Sequence, residues 1–200
     1  MFLKHVTAFT TILVLTACCQ ASPSQAEKTQ PQTTKMFMRA AYNGDLPQMQ
    51  RLLKEGANAA ALDKNGENAL VLAVNGGQVR SVDFLLRHGV SAKDRNGVEA
   101  LFTAVDEGKA SIVKSLLNHG ADVNAKDKSR DNATPLMIPC FYDPGEDNAF
   151  GQSADIVRLL LAHNADIKIK DRHGKTALMY LKNMPSACIR KMLIDAGARE

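Results

Sequence analysis

Apolar positions along this chain fall into a two-part pattern that returns four times. A short run opened by Leu70, Leu101, Leu136 or Leu178 is followed by a longer one with an adjacent apolar pair, Leu85-Leu86, Leu116-Leu117, Leu160-Leu161 or Leu193-Ile194. This predicts pairs of short α-helices whose apolar stripes no single pair could bury. Gly77 and Gly108 end the first helix of a pair, and Gly89, Gly120 and Gly197 stand where the second helix closes. Ala73 and Ala104 are small enough to let neighbouring pairs approach.

Each pair is introduced by a polar turn that begins with an aspartate: Asp63, Asp94, Asp127 and Asp171. These aspartates lie 31, 33 and 44 residues apart, so the middle unit has the undisturbed length. Gly66, Gly97 and Gly174, three residues on, are expected to adopt the left-handed conformation of a tight turn. Thr134 and Thr176 are expected to offer a hydroxyl to the free N–H groups of the next helix, with Pro135 in its first turn. Reading the phase backward yields a degenerate first unit, Phe37-Met38-Arg39-Ala40-Ala41, Gly44, Leu52-Leu53 and Gly56-Ala57-Asn58. Five units result, at about 35–62, 63–93, 94–126, 127–170 and 171–200. The end units carry Lys35, Arg39, Gln48, Gln50 and Arg51, and Lys182, Asn183, Arg190 and Lys191, as uncovered ends of a stack require. Such a stack presents an extended surface in place of a closed pocket.

Gly120-Ala121-Asp122-Val123-Asn124-Ala125-Lys126-Asp127 and Thr134-Pro135-Leu136, in phase, match the ankyrin-repeat pattern, and the chain resembles that family. The resemblance implies an all-α solenoid of about five stacked helix-turn-helix repeats with β-hairpin or turn fingers. The histidine that usually follows the Thr-Pro-Leu leucine is replaced by Val71, Phe102, Met137 and Met179, so apolar packing is expected to substitute for its hydrogen bond. The second unit lacks two residues near Val90-Ser91, which should shorten one finger; the fourth gains two at its tip, Ser129 to Asn132, and about nine between its helices.

In proteins of this family the binding groove is made by the turn tips and the exposed face of each first helix. Carried over position by position, the candidate contacts are Tyr42 and Asn43; Lys64, Asn65, Glu67 and Asn75; Arg95, Asn96, Val98, Asp106 and Glu107; Lys128, Arg130, Phe141 and Tyr142; and Arg172, His173 and Lys175. Tyr42, Arg95, Arg130, Phe141, Tyr142 and Arg172 rank first, because Tyr and Arg dominate binding energy. The inserted stretch from Phe141 to Gly151 adds Phe150, with Pro144-Gly145 marking a turn. A recognition loop and a tolerated insertion whose aromatics fold back onto the helices both fit it. Its acidic residues lack the order and closing glutamate of an EF-hand.

The N-terminus adds an address. A cationic start at Lys4 and His5, an apolar stretch from Val6 to Leu15 and small residues after it have the layout of a secretory signal, too short to span a membrane. Leu15-Thr16-Ala17-Cys18 resembles the bacterial lipoprotein cleavage box, which implies removal of residues 1–17 and lipidation of Cys18. Cys19 in the next position, rather than Asp, implies the outer membrane, facing the periplasm. A plain cleaved signal ending near Ala26, which would leave a soluble periplasmic protein, is the alternative. Residues 18–34, rich in Gln, Ser, Thr and Pro, are expected to be a disordered tether.

Composition narrows the chemistry. A formal charge of +4 from 25 basic and 21 acidic residues, ten aromatics and no tryptophan give no nucleic-acid footprint. His88, His119 and His163 share one position in the repeat, and successive units stack on the order of 10 Å apart, too far for a shared metal ion. Cys140 and Cys188 fall in different helix layers, beyond the bridging limit of about 7 Å, and are expected as two buried thiols. No nucleophile, zinc or nucleotide motif and no cofactor signature is present, so no catalytic residue is assigned. Taken with the resemblance, this implies a non-catalytic protein-binding module, monomeric when unbound and lipid-anchored at a bacterial envelope. An immunity protein that neutralises a periplasm-acting toxin, such as a lipase-type secreted effector, fits that description; a scaffold or helper for a periplasmic enzyme is the alternative.

Overall fold

The computed structural model describes residues 23–141, 149–181 and 187–199. Ten α-helices among these residues follow one another in five pairs: α1 (Pro23–Asn43) with α2 (Leu46–Lys54), α3 (Ala69–Asn75) with α4 (Val79–Arg87), α5 (Arg95–Asp106) with α6 (Ala110–Asn118), α7 (Ile138–Phe141) with α8 (Ala149–Ala162), and α9 (Ala177–Tyr180) with α10 (Ala187–Asp195). First helices pack on first helices, α1 on α3, α3 on α5, α5 on α7 and α7 on α9. Second helices do the same, from α2 through α4, α6 and α8 to α10. The result is a two-layer solenoid with one continuous core that includes Phe37, Leu52, Leu70, Leu85, Leu101, Leu116, Leu136, Leu160, Leu178 and Leu193. Ala40, Ala73 and Ala104 are fully buried where successive first helices approach. No helix among the described residues is long and apolar enough to cross a membrane.

The ends of the helices follow from a few polar side chains. Asp45 accepts from the Gln48 N–H at 3.0 Å to start α2, and buried Asn68 accepts from the Leu70 and Val71 N–H groups at 3.0 and 3.2 Å to start α3. The three equivalent histidines close second helices. Nδ1 of His88, His119 and His163 lies 2.7, 2.9 and 2.8 Å from the carbonyls of Phe84, Ser115 and Leu159, so it carries the proton and donates to a carbonyl of the last turn that also accepts the histidine's own backbone N–H, at 3.1 Å. Asn164, with φ of 64°, stands where the other units have glycine.

The fingers are turns closed by one recurring bond. The Asp63 N–H donates to the Glu67 carbonyl at 2.8 Å, Asp171 to Lys175 at 3.1 Å, and Asp127 to Ala133 at 3.0 Å, the last spanning two extra residues and forming the one β-bridge among the described residues. Each aspartate then turns its carboxylate inward. Asp63 Oδ1 accepts from the Asn65 and Glu67 N–H groups, Asp171 Oδ1 from His173 and Lys175, and Asp127 Oδ1 from Ser129.

Several expectations are corrected. Residues 23–34, expected as a disordered tether, are helical and lead straight into Phe37, Ala40 and Ala41, which are buried against α3. Packing of that end supplies the costly nucleus, and Ala, Glu, Lys and Gln then propagate the helix cheaply, outweighing the backbone bond that Pro31 forfeits. Gly97 is not a left-handed turn residue: with two residues missing, the third finger folds into the first turn of α5, capped by Asp94 through the Gly97 N–H at 2.8 Å. The two-residue deletion therefore does more than shorten the finger. Asn96 is buried there with its Oδ1 unpartnered, rather than exposed as a contact. The Thr176 hydroxyl is buried without a hydrogen bond, so it does not cap α9. Thr134 does not start a regular helix either; α7 begins only at Ile138, because Pro139 has no N–H for the carbonyl four residues back. Val71, Phe102 and Met137 are buried as expected, but Met179 is 41% exposed. Cys140 is buried and Cys188 exposed, both as free thiols, so the second is not a core residue.

Candidate partner-binding face

The finger side of the solenoid carries two grooves built alike, each between a first helix and the loop that follows its partner helix. One lies against α1 and is lined by Lys35, Met38, Arg39, Tyr42, Ala61, Leu62, Lys64 and Leu72. The other lies against α5 and is lined by Arg95, Val98, Glu99, Phe102, Lys126, Lys128 and Arg130. Most large apolar residues between units are buried; Tyr42 at 50% and Leu62 at 57% exposure are left open on this face.

The sequence-derived contact residues divide into free and engaged groups. Tyr42 and Arg95 are exposed and line the two grooves. Arg130 instead forms a two-pronged ion pair with Asp106, Nη1 to Oδ1 and Nη2 to Oδ2 both at 3.3 Å, and its Nε lies 3.3 Å from Asp127. It thereby ties the fourth finger to the end of α5. Glu107 pairs with Lys109, whose Nζ donates to the Val74 and Asn75 carbonyls at 2.7 and 3.3 Å and so closes α3 from the next unit. Arg172 lies 3.7 Å from Asp131, with its N–H donating to the Asp131 carbonyl at 2.7 Å, and His173 Nε2 is 3.2 Å from the same carboxylate. Three predicted contacts, Asp106, Arg130 and Arg172, thus hold successive units in register, and Glu107 pairs with the lysine that bridges to the unit before it. Among the residues of the insertion, Phe141 ends α7 and Phe150 lies in the first turn of α8; their side chains, Tyr142 and Cys18 lie outside what is described.

Three side chains on or next to this face have shifted titration. Burial alone would raise the Asp171 pKa, but the hydrogen bonds donated by the Tyr180 hydroxyl and by the Lys175 and His173 N–H groups outweigh it and hold the carboxyl below the usual aspartate range. Tyr180 is pushed up to about 12 by burial and by the same carboxylate. Lys175 lies over the Tyr180 ring, 5.0 Å from its centre. Glu67 is also raised, by burial and by the neighbouring Asp63 and Glu99 carboxylates. Away from the face, burial pushes the Cys140 thiol up to about 12, which leaves it protonated and unreactive at neutral pH. Sequence reasoning missed Leu62; the pattern Asn58 to Leu62 gave no sign that a leucine would be left uncovered.

Among the described residues, no cluster of three or more His, Cys, Asp or Glu side chains could hold a metal ion. What the face offers is a broad, shallow, mixed apolar and charged surface, the geometry of a helix-pair solenoid that binds along its length. The family described as "Ankyrin repeats (3 copies)" matches residues 37–127, and that described as "Ankyrin repeat" matches residues 131–172. The chain belongs to the ankyrin-repeat proteins. An L-asparaginase from Dirofilaria immitis is 39% identical over 57 residues, covering 28% of this chain and 10% of that protein. The chain thus spans about a tenth of the length of that relative. A match of that extent carries no activity across. Ankyrin repeats are modules of protein–protein interaction and are generally non-catalytic.

Proposed function

We propose that the finger-side face of this array captures another protein at a bacterial envelope and, by occupying it, blocks a toxin that acts in the periplasm. The observation that carries the capture reading is the apolar surface at Tyr42 and Leu62, the two most exposed large hydrophobic side chains among the described residues, left open beside a cationic rim. The envelope reading is supported by Leu15-Thr16-Ala17-Cys18 and the apolar stretch before it. Blocking calls for a wide contact, of about 1,600 Å² in total, which an extended face supplies without a catalytic pocket. A tether at Cys18 would raise the local concentration of the blocker at the membrane.

Deleting the gene in cells that produce the toxin is the test of the immunity role. Cell death that is rescued by the intact gene is the expected result. Survival overturns the role, and a resident envelope protein crosslinked to the chain in cells without any toxin would replace it with scaffolding. Metabolic labelling with a radioactive fatty acid tests the anchor separately: label is expected on the intact chain and lost in Cys18→Ser, and an unlabelled intact chain contradicts it.

A further inference from the structure

The groove beside α1 has an apolar floor and a cationic rim. Met38 and Leu72 form the floor, Tyr42 and Leu62 stand half out of it, and Lys35, Arg39 and Lys64 surround it. None of those three cations has a hydrogen-bond or ion-pair partner among the described residues. The carboxylate that lines the groove, Asp63, is committed to its own finger: it accepts from the Asn65 N–H at 2.8 Å, the Glu67 N–H at 3.0 Å and the Asn65 amide at 3.5 Å. The groove encloses about 860 Å³, within the range of about 300–1,000 Å³ found for sites that hold ligands. The groove against α5 also has cations on its rim, Arg95, Lys126 and Lys128, but Glu99 and Asp127 line it too, its Arg130 is spent on Asp106 and Asp127, and its Phe102 is buried. What sets the N-terminal groove apart from it is that its free cations surround exposed apolar surface, at Tyr42 and Leu62, with a net positive rim even after Asp63 is counted.

We propose that this groove takes an acidic segment of the captured partner, with an apolar side chain entering between Tyr42 and Leu62 and flanking carboxylates reaching Lys35, Arg39 and Lys64. The inference rests on the capture reading and names the chemistry of what is captured. An apolar anchor alone would accept many partners; three free cations favour carboxylates and penalise a basic segment by like-charge repulsion. Arg39 can hold a carboxylate through two parallel hydrogen bonds, and Lys35 and Lys64 act as point charges.

Panning a random-peptide phage library against the full chain, then titrating the enriched peptides by fluorescence anisotropy, tests this directly. Peptides rich in Asp and Glu around a Leu, Phe or Trp are expected, with affinity that falls with added salt. Their affinity is expected to drop at least tenfold in Arg39→Glu/Lys64→Glu and also in the single Lys64→Glu, both checked for native helix content by circular dichroism. Charge reversal on the second-helix face, Arg80→Glu/Arg87→Glu, is expected to leave binding unchanged. Enrichment of neutral or basic peptides, no enrichment at all, or acidic peptides that bind both groove variants undiminished would overturn the inference. Neutral or basic peptides that still lose affinity in Tyr42→Ser would remove the acidic partner and keep the capture face; loss of crosslinking from the whole finger side in cells would remove the capture reading itself.

Discussion

At the scale of the residue, two glycines with the same place in the sequence pattern carry different loads. A Cβ on Gly66 meets nothing within 4 Å, and its cost comes only from φ of +83°. A Cβ on Gly97 would come within 2.6 Å of the Ala92 Cα, in backbone that cannot step aside. Gly66→Ala is therefore expected to cost about 1 kcal/mol, and Gly97→Ala more, about 3 kcal/mol, in urea denaturation; the reverse order would contradict the folded third finger. Asn68→Ala should cost about 1–2 kcal/mol, since it removes both bonds that start α3. The Tyr180–Asp171 pair sets two pH limbs. Because the Asp171 pKa is lowered on folding, its contribution is present above the ordinary aspartate value near 4 and is lost as pH falls through the lower folded value. Because that of Tyr180 is raised, its contribution is present below the ordinary tyrosine value near 10 and is lost as pH rises toward about 12. Tyr180→Phe should flatten both limbs in denaturation midpoints followed against pH, and unchanged curves would contradict the pairing. The aspartate of each finger was legible in the sequence as a phase marker. Its work, gathering N–H groups two and four residues on, was not, because only the fold shows which donors a turn leaves free.

At the scale of the element, what the pattern of apolar residues and glycines announced was the order of the helices; what it missed was where two of them begin. Pro139 lies inside a run that reads as helix from Thr134, and the missing N–H moves the start of α7 to Ile138. α1 is longer than composition suggests, since a polar stretch with no apolar period gives no sign that a packed neighbour will extend it. Of the contact residues read from the repeat frame, Tyr42 and Arg95 are free, whereas Arg130 and Asp106 join adjoining elements. The frame places a residue on the finger side but is blind to a carboxylate from the next unit. A double-mutant cycle with Arg130→Ala and Asp106→Ala is expected to give a coupling of about 0.5–1 kcal/mol for a pair this exposed, and a coupling of zero would make both residues available as simple contacts. The helix layers also separate the two free thiols. Iodoacetamide followed by peptide mass mapping should modify exposed Cys188 quickly and buried Cys140 only after unfolding; equal rates would contradict the packing of α7.

At the scale of the whole molecule, five helix pairs share one core, each pair packed on its neighbours in the array. Such an array has two long faces. The second-helix face has a groove between α2 and α4, where Asp83 lies beside Arg80 and Arg87 and where Leu46, Leu53 and Phe84 are partly buried; the finger face leaves Tyr42 and Leu62 exposed with free cations around them. The central claim is that the finger face is where another protein is held. Site-specific photo-crosslinking in the producing cells, with a benzophenone amino acid placed in turn at Tyr42, Arg95, Arg80 and Lys114, tests it most directly. A discrete protein adduct from Tyr42 and Arg95, with none from Arg80 and Lys114 on the second helices, is the predicted result. Adducts from the second-helix positions alone, or from none of the four, would contradict it.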